Sequence, residues 1–399
     1  MPRRIVILGG GVAAVESVLA LRQLAGPLVQ LTLVSPDDGF RFDALQTSEA
    51  FGLSTPKVYS LTALAATQGA TYLRDVATTV DAEDKVVHLA SGASVPWDDL
   101  VVAIGACPVA ALEHCDTAFS ARLPDIVARL RDDLVTDRFG SAMFLVPPGV
   151  FWTMPAYELA LMTRREADRA GRVRFAITIV STESAPLGMF GAAASQEVHD
   201  LLDREGIAFV ADAYATTHRG GRVSIRPHRR VLRAERLIAL PRPEGPFLTG
   251  LPHDTEGFLP TDQHGRVRGV DGVYAAGACT DFPIRQGGLA TQQADALASC
   301  IPAQLGPAVA CKPFRPVLRG RLVTGGNNAF MHHQMAGGAG EGRHSLDSLW
   351  SPPSKVNGRF ISAWLYHEPR RPEPSHRWRR AAAPHQPEPN LRRPVGAAP

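Results

Sequence analysis

The chain of 399 residues lacks any cysteine pair of recognised spacing. Its five cysteines, at 107, 115, 279, 300 and 311, form no C-x-x-C and are odd in number. That argues against a disulfide framework and against a zinc centre, so no metal site is expected and the thiols suit a reducing cytoplasm. The chain also lacks an apolar run near the ~20 residues that span a bilayer. The longest candidate, Leu100 to Leu112, is interrupted by Gly105 and Pro108. No transmembrane segment is expected, and the motif described below begins too early to leave room for a secretory leader. A strongly basic body is missing as well. The net charge of +3 is concentrated in residues 369–399, which hold seven arginines against two glutamates, together with eight prolines. The rest of the chain is slightly acidic, which excludes nucleic acid as a partner on charge grounds. The tail has almost nothing to bury and reads as disordered.

What is present starts at once. Ile5-Val6-Ile7-Leu8 reads as a buried strand, Gly9-Gly10-Gly11 as a turn, and Val12 to Leu24 as an amphipathic helix. Gly9, Gly11 and Ala14 satisfy G-x-G-x-x-[GA]. Gly9 suits the tight turn, Gly11 the approach of a pyrophosphate, and Ala14 close packing of helix on strand. The helix start then offers N–H groups and a positive dipole end to phosphate. A second parallel strand, Leu28 to Val34, ends at Ser35-Pro36-Asp37-Asp38. Ser35 holds the position from which adenosine ribose is usually bound, with Asp37 and Asp38 just beyond. A solvated turn is the equal alternative for the two aspartates.

Residues 40–60 resist assignment and read as a loop over a ligand. Three short alternating segments, Ala70 to Leu73, Ala77 to Asp81 and Lys85 to Leu89, suggest an antiparallel meander. Asp99 to Ala106 returns to a buried strand ending in small residues. A helix near 118–133, a strand at 141–146, a helix near 155–170, and strands at 174–180 and 207–210 flanking a helix at 195–205 then repeat the topology. Strands near 223–225 and 236–240 lead out of this second unit. Where its phosphate glycines belong there is only Pro147-Pro148-Gly149 followed by Phe151-Trp152. Prolines lack N–H donors and Trp fills space, so NAD(P)H binding in the usual manner is disfavoured. Asp271 to Leu289 is again strand, glycine turn and helix start, leading into an Ala-rich helix.

With these segments in view, the sequence resembles the FAD-dependent pyridine nucleotide-disulfide oxidoreductase superfamily. Within it, the sulfide:quinone reductase, flavocytochrome c sulfide dehydrogenase and type II NADH dehydrogenase branch is nearest. Three ordered landmarks carry the resemblance: Gly9 to Glu16, Val102-Ala103-Ile104-Gly105-Ala106, and Tyr274-Ala275-Ala276-Gly277, with Pro283 to Ala294 after the last. The fold so implied is α/β, with two Rossmann-like, three-layer ββα dinucleotide-binding domains, the second inserted in the first. The boundaries expected are 1–112 and 246–305 for the discontinuous FAD domain, 113–245 for the second, 306–368 for a C-terminal extension and 369–399 for the tail. The resemblance implies FAD on Gly9, Gly11, Val12, Ala13, Ala14 and Ser35 at its ADP end. It implies Ala103, Gly105, Gly277 and Ala278 along its length, and Arg285, Gly287 and Gly288 at the isoalloxazine.

The departures set further expectations. The family's Gly-Asp at the third landmark is Gly277-Ala278 here, a missing carboxylate worth about 1–3 kcal/mol of binding unless Thr280 or Asp281 replaces it. Residues 1–106 carry no cysteine pair and 116–278 no cysteine, so sulfide chemistry through a polysulfide bridge is not expected. Cys279 is expected as a buried thiol and Glu158 as a helix-surface carboxylate, with a place facing the flavin as the less favoured reading. Residues 327–344 are expected to be mobile, and the aromatic piece from 349 to 366 to pack on its own domain or a second subunit. The expected activity is two-electron transfer through FAD from an unidentified small-molecule donor, NAD(P)H or other, to an acceptor such as a quinone. No catalytic side chain is assigned. Peripheral membrane contact and a homodimer stay open. The alternative is a degenerate, non-catalytic relative acting as a binding or regulatory module.

Overall fold

The computed structural model describes residues 1–55, 57–118, 123–306, 309–335 and 342–367. The expected disordered tail lies outside them. The chain opens with β1 (Arg3–Leu8), α1 (Val12–Ala25) and β2 (Val29–Ser35), then β3 (Thr71–Arg74) and β4 (Asp99–Val102). Next come β5 (Asp116–Thr117), α2 (Leu123–Val135), β6 (Ser141–Leu145), α3 (Met154–Arg169) and β7 (Ala176–Val180). They are followed by α4 (Ala192–Arg204), β8 (Ile207–Val210) and β9 (Arg236–Ala239). The last part holds β10 (Val273–Ala275), α5 (Gly287–Ala303), β11 (Val317–Leu322), β12 (Ala329–Gln334), β13 (Arg343–Ser345) and α6 (Ile361–His367).

Two parallel five-stranded sheets result. The first has the order β10-β4-β1-β2-β3, the second β5-β9-β6-β7-β8, and the second is built entirely from chain between β4 and β10. β1 is apolar throughout because both its faces are covered, as in parallel sheets generally. Ile5 and Ile7 pack with α1 and α5. Val6 and Leu8 pack on the other side with Val80, Val87 and Leu89 of an antiparallel meander spanning 77–96, and with Trp97 just after it. This is the expected three-layer arrangement.

One strand is placed differently from the sequence reading. Residues 71–74 do not join the meander but form the parallel edge strand β3, with Thr32 opposite Thr71 and Ser35 opposite Arg74. The meander's third strand is 94–96 instead. Likewise β9 does not lead out of the second unit; it lies inside that sheet between β5 and β6. Of the stretch that resisted assignment, residues 39–41 and 58–60 are paired strands and 46–50 a short helix.

The C-terminal part is an antiparallel sheet, β11-β12-β13, followed by α6. The 327–344 segment expected to be mobile supplies β12 and the start of β13, while 336–341 lie outside the described residues. β11 crosses the start of α3 at Gly320, where any Cβ would overlap Met154 and Phe190. The aromatic piece packs on the first unit. Trp364 lies 5.1 Å from the Tyr59 ring, and Ile361 is fully buried. Its anchor is Glu16 of α1, which is buried and accepts hydrogen bonds from the Phe360 and Ile361 N–H groups at 2.9 and 2.6 Å. Asp295 of α5 lies beside Glu16, and burial together with that neighbouring carboxylate pushes its pKa up to about 8.

The cysteine reading needs one correction. Cys300, in the last turns of α5, is disulfide-bonded to Cys311. An odd total excludes only complete pairing, and the chain doubles back after α5 so that residues 11 apart meet. The cysteine count therefore no longer argues for a reducing compartment. Among the described residues no helix is long and apolar enough to cross a membrane.

Candidate functional site

The first sheet's strand ends converge on two helix starts, and the cavity lies there. Gly9 leaves β1 with φ +116°, and a Cβ on it would overlap the Ala103 carbonyl. Only glycine fits that turn. The chain then enters α1 through Gly11, the N-cap residue, with no side chain capping the helix. A Cβ on Gly11 would meet nothing within 4 Å. The amide end of α1 therefore opens into a cavity of about 490 Å³.

The sequence-predicted residues divide between its lining and its wall. Gly11, Val12, Ala278, Arg285 and Gly287 line the cavity. Gly9, Ala13, Ala14, Ala103 and Gly277 are buried behind it. Ala13 and Gly277 set the approach of α1 to the turn before α5, since a Cβ on Gly277 would stand 3.1 Å from that of Ala13. Gly288 is buried in the first turn of α5, and Gly105 takes φ +77° in open space. Ser35 is buried at the end of β2, beside Gly10, and donates to the Asp37 carbonyl; it does not line the cavity. Asp38 is committed elsewhere, accepting from the Thr62 N–H and hydroxyl at 3.1 and 2.6 Å.

Neither candidate replaces the carboxylate missing at Ala278. Thr280 is fully buried, donating to the Gly277 carbonyl and accepting from Gln293. Asp281 accepts from the Thr261 N–H and hydroxyl. Cys279 is fully buried on the meander side of the sheet, its Sγ donating to the Val102 and Ala276 carbonyls, and burial pushes its pKa up to about 11. Cys107 is exposed and Cys115 partly buried.

Cations surround the helix starts. Arg285 stacks 3.7 Å from the Phe258 ring and donates to the Pro283 carbonyl. Desolvation lowers its pKa, and it does the same for Arg319 on the cavity wall. At α5, Gln286 caps the helix by accepting from the Leu289 N–H at 2.9 Å and ties it to β11 by donating to the Arg319 carbonyl.

Glu158 departs from the expected surface position. It is 1% exposed and lines the cavity. One carboxylate oxygen accepts from the Thr47 hydroxyl at 2.7 Å and from Lys355 Nζ at 2.6 Å; the other accepts from the Val323 N–H at 3.0 Å. Four distant segments meet on one carboxylate. Helical spacing held the signal, because Met154, Leu161 and Met162 lie on the same face of α3 and are all buried. Thr47 and Lys355 carried no comparable signal.

In the second sheet, the carboxylate nearest the place of a nucleotide ribose is engaged by the chain itself. Glu183, just beyond β7, is near the place of the ribose-binding carboxylate. Its oxygens accept from the Thr153, Tyr157 and Ser181 hydroxyls at 2.9, 2.7 and 2.9 Å. Burial raises the pKa values of Glu183 and Tyr157, and Tyr157 is fully buried.

Comparison with known proteins agrees with this architecture. A family model described as pyridine nucleotide-disulphide oxidoreductase matches residues 3–296. The chain is similar to the sulfide-quinone reductase of Aquifex aeolicus (strain VF5), at 26% identity over 231 residues, covering 53% of this chain and 51% of that one. It thus spans about half the length of the curated relative it matches. The fold is similar to that of the sulfide:quinone oxidoreductase from Aquifex aeolicus, with a TM-score of 0.78 at 20% identity over 86% of each chain. It is also similar to a NAD-dependent persulfide reductase from A. fulgidus, with a TM-score of 0.61 at 16% identity over 82% of this chain and 64% of that one.

Proposed function

The chain belongs to the pyridine nucleotide-disulphide oxidoreductase family, and from that premise we propose an FAD-dependent oxidoreductase that passes two electrons to a quinone-type acceptor from a donor other than a nicotinamide. FAD is the family's cofactor. The residues here fit it, because the uncapped start of α1 and the open space over Gly11 offer N–H groups and room to a pyrophosphate. When bound, FAD supplies the two-electron chemistry. In this reading Gly11 and Val12 face the ADP end, backed by Gly9, Ala13, Ala14 and the buried Ser35, with Ala103, Gly105, Gly277 and Ala278 along the cofactor. Arg285, Gly287 and Gly288 place positive charge and a helix dipole at the isoalloxazine. Residues 1–112 and 246–305 form the FAD unit, and 113–245 the inserted one.

The observation that carries the choice of partners is the contrast between the two sheets. At the second sheet, Glu183 is already engaged by the Thr153, Tyr157 and Ser181 hydroxyls. The first sheet's cavity continues past Ala278 to Val150, Phe151 and Trp152, of which Phe151 is half exposed. An apolar aromatic mouth suits a ring-shaped lipophilic acceptor better than a charged dinucleotide. The Glu158–Lys355 pair in that wall is placed to hold or release a proton at Glu158 Oε2 and Lys355 Nζ as an acceptor is reduced.

The test is a visible spectrum of purified protein, followed by anaerobic NADH and, after chemical reduction, a water-soluble quinone. Flavin bands that resist NADH and return on quinone addition are the expected result. Rapid, saturable bleaching by NADH would overturn the donor assignment. A colourless protein whose melting temperature ignores added FAD would favour the non-catalytic module.

A further inference from the structure

The far end of α5 from the cavity carries a second cluster. His264 and the Cys300–Cys311 pair each offer one ligand atom, and all these atoms lie within 4.8 Å of one another. We propose that this cluster is an alternating clip: a disulfide under oxidising conditions, and a site for one soft divalent cation of the zinc class when reduced.

The donor set supports this. Two thiolates and an imidazole are borderline-soft ligands, with Zn–S near 2.3 Å and Zn–N near 2.0–2.1 Å. Ligand atoms around such an ion stand roughly 3.5–4 Å apart; the bonded sulfurs separate to that distance only once reduced, and the His264 ring nitrogen already lies within 4.8 Å of both. The backbone bearing the histidine is already fixed. Asp262 accepts from the His264 N–H at 2.8 Å and the Arg266 N–H at 2.9 Å, closing a tight turn. Cys300 is held in the last turns of α5. Cys311 is followed by Lys312, whose N–H donates to Ser299 at 2.8 Å. Two of the three ligands are thus fixed within the core architecture, and the third is set by its neighbour. Water would take the fourth position.

The exchange balances. A thiol or phosphine reductant delivers two electrons, two protons enter to give two thiols, and the cation displaces those same two protons on binding two thiolates. The net reaction consumes two electrons and one cation, and the dithiolate neutralises the cation's charge. Either form closes the same loop, so the clip persists across redox conditions. Its place gives it consequence. Gln292, on the same helix, holds Val317 at the start of β11 by two hydrogen bonds of 2.9 Å, and β11 carries Arg319 and Arg321 into the cavity wall.

The experiment uses the full-length holoprotein. Thiols are counted before and after phosphine treatment, the reductant is removed anaerobically, and Co²⁺ is titrated while ligand-field bands are followed in the red, beyond the flavin absorption. Reduction should expose two further thiols. The reduced protein should then bind one Co²⁺ with tetrahedral bands that Zn²⁺ abolishes, and the oxidised protein should show none. Cys300→Ser and Cys311→Ser should remove the bands. His264→Ala should weaken binding at least about tenfold, since loss of even an outer-shell partner costs that much. The flavin spectrum reports folding of each variant, and His264→Ala disturbs no core residue. Unchanged thiol counts, bands in the oxidised protein, bands that survive the Cys300→Ser and Cys311→Ser changes, or a fully reduced protein without bands would each overturn the proposal.

Discussion

Lys355 Nζ lies 2.6 Å from Glu158 Oε2, joining residues 197 apart across the wall of the cavity. Both side chains are largely buried, so the pair is sensitive to loss of either member. Glu158→Gln or Lys355→Met leaves one buried partner uncompensated, at a cost of about 3–5 kcal/mol. The melting temperature should fall for each single variant and recover in part in the double variant. If the pair handles a proton, Glu158→Gln should also change the pH dependence of flavin reoxidation by a quinone, read by stopped flow.

Gly9 and Gly11 make a paired test. Gly9→Ala forces a Cβ into the Ala103 carbonyl at φ +116°, and should lower stability whether or not cofactor is present. Gly11→Ala has a permissive backbone and open space. It should fold like the parent without FAD yet bind FAD more weakly, because the methyl occupies the pyrophosphate's path. Thermal melts of apo and FAD-loaded protein separate the two outcomes.

Ala278→Asp restores a carboxylate at a position that lines the cavity and that neither Thr280 nor Asp281 covers. One recovered hydrogen bond of about 1–3 kcal/mol corresponds to about fivefold to 150-fold tighter FAD binding. Titration of apoprotein by flavin fluorescence quenching checks it, and unchanged affinity would place the ribityl chain elsewhere.

Asp295 should make the protein less stable as pH rises. Its pKa is pushed up to about 8 in the folded state, by burial and by Glu16, with Arg359 opposing. The folded chain therefore keeps a proton that the unfolded chain releases in the ordinary carboxyl range near 4. Stability falls across that window and levels off above the folded value. Asp295→Asn should flatten the fall in melting temperature between about pH 4 and 8.

Thiol reactivity should follow burial. Burial pushes both Cys279 and Cys115 up to about 11. At neutral pH, iodoacetamide should modify exposed Cys107 first and leave Cys279 untouched in the native protein. Cys279→Ser should leave turnover within about twofold, as expected of a small buried hydrophobe. A larger loss would revive a thiol mechanism.

The parts of this site that were legible in the sequence are those fixed by local geometry. Strand, glycine turn and helix at residues 5–24, and again at 273–300, declare themselves because Gly9 and Gly277 need positive φ and the flanking runs have clear periods. The proline-rich turn before Phe151 was equally plain. What escaped depends on long-range partners. A four-residue alternating segment such as 71–74 looks alike whether it pairs parallel at an edge or antiparallel in a meander, and only β2 decides. Helical spacing puts Glu158 on the buried face of α3, but its partners, Thr47, Val323 and Lys355, are scattered over 308 positions and have no spacing rule. The Cys300–Cys311 bond joins residues 11 apart with no motif of its own, and an odd cysteine count does not exclude a single pair.

The hydrogen bond from the Ile361 N–H to Glu16 closes over 345 residues. At a synthesis rate of about 5–20 residues per second, the glycine turn leaves the ribosome tens of seconds before the segment that fastens α1. For most of that interval the nascent first sheet has no β10 and no α5, and Val356 reaches Gly287 only near its end. The cofactor's berth is thus a late product of translation. A ribosome that stalls before codon 273 would leave the first sheet without β10 and α5 and with an uncovered apolar face, a ready client for chaperones and proteases.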